Sequence, residues 1–185
     1  MSKSTLSKAL SGFEAPELRS LILDLYAKSK DAKEILDFFA EPDIARKTEE
    51  YKAILSKETH RYTRRAFRPR LPKLRAAIKR FRLLEPGDDA VAELMVHTSL
   101  SLVALGEETL LQDLLYLNIE KFLGETVDFL ADHGLLEEYM PRLRRASGKL
   151  RRLRHGLLRN PLTPVLERVL SRAETAADAS GESTV

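Results

Sequence analysis

Few side chains in this sequence could do chemistry. His60, His97, His133 and His155 are the only histidines, and no two stand three to five residues apart, the spacing at which a helix face presents two metal ligands. There is no cysteine, which excludes disulfides, thiolate metal sites and a cysteine nucleophile. Glu107-Glu108 and Glu137-Glu138 are paired acids, but adjacent residues on a helix do not face each other, so they read as helix starts or solvated faces. Asp88-Asp89 follows Pro86-Gly87 and reads as an N-cap whose charge complements the helix dipole. No glycine-rich phosphate loop or serine elbow occurs. His97 reads as a buried polar residue, and His133 as a helix-end residue favoured by the dipole. The sequence therefore predicts no catalytic set, no metal and no cofactor, and argues against an enzyme. A concave pocket joining His97 to Glu93 or Asp113 is the arrangement that would reverse that expectation.

Charge offers a stronger pattern, because opposite signs are sorted into blocks. Residues 57–82 hold eleven Lys and Arg against one Glu, residues 85–140 hold thirteen acids against one Lys, and residues 142–159 hold eight basic residues and no acid. One reading is nonspecific nucleic-acid binding, in which clustered cations displace counterions from a phosphate backbone. Its candidates are Arg61, Arg64, Arg65, Arg68, Arg70, Lys73, Arg75 and Lys79 in the first segment, and Arg145, Lys149 and Arg152 in the second. Phe67 is the one ring there free by periodicity to stack on a base. The competing reading, favoured by the size of the acidic block, is that the cations solvate amphipathic helices and pair with the acidic faces between them. An acidic protein or a membrane surface is a third possibility for the same patches.

These side chains are positioned by helices. Residues 91–105 are apolar around nearly the whole circumference, which requires burial on several sides. After Gly106, Leu111, Leu115, Phe122, Phe129 and Leu130 recur at helical spacing, with Leu110, Leu114, Leu117 and Ile119 widening the stripe. Together they predict a buried central hairpin over about 88–134, turning at Gly106 and stopped at His133-Gly134. Upstream, Ser4 caps a helix to Leu10 with Gly12 left-handed beyond it, and Pro16 opens a helix striped by Leu18, Leu21, Ile22, Leu25 and Tyr26. Asp31 caps residues 32–40, with Ile35, Leu36 and Phe39 on one side. Asp43 caps a helix expected to reach Arg65, with Ile44, Tyr51, Leu55 and Tyr62 inward and Ile54 beside them. Two prolines break the chain before a basic amphipathic helix from Pro72, with Leu74, Ala77, Ile78 and Phe81 inward.

Beyond Gly134 a helix starts at Leu135, and Pro141 either kinks it or begins a new one. Leu143, Leu150 and Leu157, with Ala146 and Leu153 between them, form a seam of the kind that meets a partner helix. The seam predicts a protein partner or a homodimer that dissociates when Leu150 becomes Asp. A final helix over 162–173 precedes a small, polar tail at 174–185, expected to be disordered. The fold class is all-α: a single domain over 1–173, of successive antiparallel hairpins packed on the central one, which fits the length. Residues 94–106, the longest uncharged run, are too short for a bilayer, where about 20 apolar residues are needed. With no secretory leader and no cysteine, a cytoplasmic location is expected.

The succession Leu6-Ser7-Lys8-Ala9-Leu10, Glu17-Leu18, Leu23-Asp24-Leu25-Tyr26, Lys33, Phe38-Phe39 before Pro42, Leu71-Pro72-Lys73-Leu74-Arg75 and Ala77-Ile78-Lys79-Arg80-Phe81 resembles a family of small, uncharacterised bacterial all-helical proteins. The likeness runs from about Lys3 to Tyr139. It implies a helical fold and a domain of unknown function, with no catalytic residues to carry over. The arginine-dense segment 142–159 departs from the pattern, so a function there would not be a family trait.

Overall fold

Every regular element among the described residues is a helix. The computed structural model describes residues 2–59, 69–108, 113–152, 167–172 and 175. They form α1 (Lys3–Leu10), α2 (Ala15–Lys28), α3 (Lys30–Ala40), α4 (Ile44–Thr59), α5 (Leu71–Arg82), α6 (Asp88–Glu108), α7 (Asp113–Asp132) and α8 (Leu136–Arg152), with a short helical stretch at 167–172. The chain divides into two compact units, residues 1–43 and 44–185, while its extent as one domain over 1–173 remains a reading from length.

In the first unit, polar caps set the boundaries. Ser2 caps α1 by accepting the Thr5 N–H at 3.2 Å, one residue pair earlier than the expected Ser4. Pro16 sits in the first turn of α2, where its missing N–H costs nothing, and the Glu17 carboxylate accepts the Glu14 N–H at 2.8 Å. Ser29 then both ends one helix and starts the next. Its backbone is extended, its N–H donates to the Leu25 carbonyl, and its hydroxyl accepts the Ala32 N–H at 3.2 Å. The cap of α3 is therefore Ser29, and Asp31, expected to cap, lies in the first turn, where its charge complements the dipole. Gly12 is not left-handed, because α1 closes through an ordinary right-handed Ser11. α2 packs on α3, and Lys33 lies over the Tyr26 ring at 5.2 Å.

The second unit is built around α6, which packs against α4, α5, α7 and α8. Its apolar circumference demands this, and Val91, Leu94, Val96, Leu102, Val103 and Leu105 are all buried. α4 contributes Tyr51 and Leu55, and α5 contributes Leu71, Leu74, Ile78 and Phe81. The Tyr51 and Phe81 rings meet at 5.0 Å, a tilted contact favoured by their quadrupoles. Ile44 and Ile54, expected inward or beside the inner stripe, are exposed, and Thr48 and Thr59 are buried instead. A threonine can take such a place because its hydroxyl bonds back to the preceding turn, here Thr48 to the Ile44 carbonyl at 2.7 Å.

At the other end of the core, α7 closes as its His133-Gly134 sequence predicts. Gly134 has φ +69, and the Leu135 N–H reaches the Leu130 carbonyl at 2.8 Å while the Gly134 N–H reaches that of Ala131, the paired bonds of a Schellman ending. Two expectations fail nearby. Gly106 does not separate the arms, since α6 continues to Glu108; residues 109–112 lie outside the described residues. Leu114 and Leu117 do not widen the buried stripe, being 70% and 61% exposed. α8 runs unbroken through Pro141, which lies near the helix start and removes a single backbone donor. The expected extension of α4 towards Arg65, and the tail apart from Thr175, fall outside the described residues.

Candidate interaction surfaces and the charge network

Glu93 on α6 faces two cations from different helices. Lys52 Nζ of α4 lies 2.8 Å from its Oε1, and Arg142 of α8 grips both carboxylate oxygens with two guanidinium nitrogens. Burial alone would push the Glu93 carboxyl up, but the hydrogen bonds from Arg142 and Lys52, and their charges, hold it below the usual carboxylate range. Burial likewise disfavours charge on Lys52, yet bonds to Glu49 and Glu93 raise its pKa. The start of α8 is fastened a second time, because Tyr139 donates to the Asp89 carbonyl at 3.3 Å and lies 5.5 Å beneath the Arg142 guanidinium.

The same arrangement recurs around α5. Arg75 reaches Glu125 of α7 through Nε and Nη2 at 3.0–3.2 Å, with its guanidinium 5.6 Å from the Phe122 ring. Arg70 makes a two-point contact with Glu58 of α4 at 2.9 and 2.6 Å, which raises its pKa. Lys73 stands 3.8 Å from the same carboxylate. Planar two-point pairing of this kind is what arginine offers and lysine does not.

The candidates for anion binding thus have unlike surroundings. Arg70 and Arg75 are engaged with carboxylates of neighbouring helices, Lys73 lies near one, and Lys79 and Arg145 are exposed on α5 and α8. Lys149 and Arg152 belong to α8. Arg61, Arg64, Arg65, Arg68 and Phe67 lie outside the described residues. Of the proposed partner seam, Leu143 is 1% exposed within its own unit, Leu150 belongs to α8, and Leu157 is outside the described residues. A residue so deeply buried at home cannot also cover a partner helix.

Polar side chains also meet between helices of the second unit. Ser56 of α4 and His97 of α6 are 3.0 Å apart, and Ser99 of α6 and Thr126 of α7 are 2.8 Å apart and buried. Because the Thr126 hydroxyl donates to the Phe122 carbonyl, Ser99 is the donor of that pair. His133 Nδ1 bonds to the Phe129 carbonyl at 2.8 Å, and its ring stacks on Phe129. Among the described residues, no three His, Cys, Asp or Glu side chains come together as metal ligands, and no helix is long and apolar enough to cross a membrane.

The surface that sequence reasoning missed is in the first unit. None of the residues of α1, α2 or α3 is buried. Leu21, Ile22, Leu25 and Ile35 are exposed, and Phe39 is 82% exposed. Their helical spacing was legible, but a stripe reads the same whether a neighbour covers it or not.

Fold and site together define an all-helical protein in which several arginines bind helix to helix and apolar side chains stand open on the N-terminal helices. The chain belongs to a family of unknown function, DUF6155, whose model matches residues 1–154. No curated protein and no solved structure matches it. The match continues past Tyr139 and takes in the first part of the arginine-dense segment, which the resemblance in sequence had placed outside the family pattern.

Proposed function

We propose that this protein is an interaction module that pairs with a second copy of itself through α2 and α3. The observation that supports this reading is the exposure of the apolar side chains Leu21, Ile22, Leu23, Leu25, Ile35 and Phe39, in a unit whose helices bury no residue. Exposed apolar surface of this kind marks contact sites. Two packed helices that leave apolar side chains open can complete a closed core when doubled, as in a four-helix bundle. Residues 1–43 carry six basic and eight acidic side chains, interspersed, so like copies meet without strong repulsion, unlike the sorted blocks further along. An isologous contact of this form is the commonest route to a dimer.

The test is sedimentation equilibrium of the whole protein and of Phe39→Asp and Leu25→Asp. A wild-type mass of two chains is expected, falling to one in both variants, with thermal unfolding followed in parallel. A wild-type monomer at every concentration would sink the proposal. So would variants that lose thermal stability while their mass is unchanged, since the face would then be packing within its own chain. Nucleic-acid binding draws less support, because Arg70, Arg75 and Arg142 are already occupied by carboxylates.

A further inference from the structure

The two units differ in what holds them folded. In the second, Leu74, Phe81, Leu94, Leu102 and Leu130 are 0% exposed, whereas none of residues 2–43 is buried. α2 and α3 pack on each other, yet Leu18, Tyr26, Leu36 and Phe38 become only half-buried. Leu6 and Phe13 stay exposed in addition to the apolar side chains of α2 and α3 already named. The three helices hold 8, 14 and 11 residues, and isolated helices shorter than about 12–15 residues are marginal in water. The caps at Ser2 and Ser29 and the exposed Lys28–Asp24 pair act locally and replace no core.

A piece of about 40 residues usually folds only with disulfides, a metal or a partner chain. This chain has no cysteine, and among the described residues no three metal-ligating side chains come together. A partner chain is the source that remains, which is the contact proposed above for α2 and α3. Resting on that reading, we propose that residues 2–43 fold only when two copies pair. The monomer then carries a folded second unit preceded by an unfolded segment, and association forms the helices and buries their apolar side chains in one step. The boundary suits this division. The units part at Asp43, and every buried apolar side chain among the described residues lies at Tyr51 or beyond, so the first unit opens without drawing on that core. Ordering a segment at the moment of binding subtracts its conformational entropy from the affinity. Pairing is thereby tuned to respond to the concentration of the chain.

The test reads mass and backbone hydrogen exchange on the same samples of the full chain over a dilution series. Where the monomer prevails, peptides from residues 15–40 should exchange within about tenfold of an unstructured chain, and at least about a hundredfold more slowly where the dimer does. Peptides of α6 should stay protected throughout. Phe39 is 82% exposed, so Phe39→Asp removes little packing within its own chain and supplies the monomer even where the wild type stays dimeric on dilution. That variant should leave residues 15–40 unprotected at every concentration, with α6 protection unchanged. Monomers of either protein that keep α2 and α3 protected would overturn the coupled folding and leave the pairing standing. A wild type that is monomeric at every concentration, or a Phe39→Asp chain that stays dimeric, would overturn the pairing itself and this proposal with it.

Discussion

Glu93 shows how a single residue can tie three helices. The sequence offered it as one of thirteen acids in a block and as a possible neighbour of His97, but not as a partner of Lys52 and Arg142, which lie 41 and 49 positions away. Surface ion pairs contribute about 0–1 kcal/mol, while removing one member of a buried pair costs about 3–5 kcal/mol. Glu93 is partly buried, and Glu93→Gln is expected to cost about 1–3 kcal/mol in urea unfolding at neutral pH. Its folded pKa lies below the ordinary value of 4.5. The contribution of the ionised carboxylate is therefore complete above that value and is lost as pH falls through the lowered folded pKa. Unfolding curves of wild type and Glu93→Gln should converge in acid below that ordinary value. A gap that stays constant to the acid limit would mean that Glu93 acts by shape alone.

At the scale of elements, the Ser99–Thr126 bond joins α6 to α7 inside the core. Thr126→Val strands the Ser99 hydroxyl and should cost about 1–3 kcal/mol, while Ser99→Ala combined with Thr126→Val should recover most of it. Chemical denaturation of the four proteins of this cycle checks the coupling, and simple additivity would show that the two hydroxyls do not depend on each other. Element boundaries were legible where local chemistry decides them, as at Pro16 and at Gly134 with its positive φ. They were not legible where packing decides. Gly106 costs about 1 kcal/mol against alanine in a helix, but α6 is supported from four sides and continues through it. Leu114 and Leu117 carry the period of an inner stripe, yet only the placement of neighbouring helices determines which part of α7 is covered.

For the molecule as a whole, sorted charge blocks serve partly to bind helices together. Arg75 with Glu125 and Arg142 with Glu93 each join a basic stretch to an acidic one. Fluorescence anisotropy with single-stranded RNA, single-stranded DNA and duplex DNA should accordingly show weak binding at low salt that vanishes near physiological salt. Binding that persists there would return attention to residues 57–82, with Arg64, Arg65 and Arg68 reversed to Glu as the decisive variant.

The sequence by itself determined the helical class, the positions of most helices, the burial of α6 and membership of a helical family. Periodicity, caps and prolines act within a few residues, so they can be read without a fold. Only the tertiary structure decided which cations are matched by carboxylates, that Leu143 belongs to its own core, and that the stripes of α2 and α3 stand open. Each of these depends on which distant helix lies opposite, and neither a charge nor an apolar period carries the address of its neighbour.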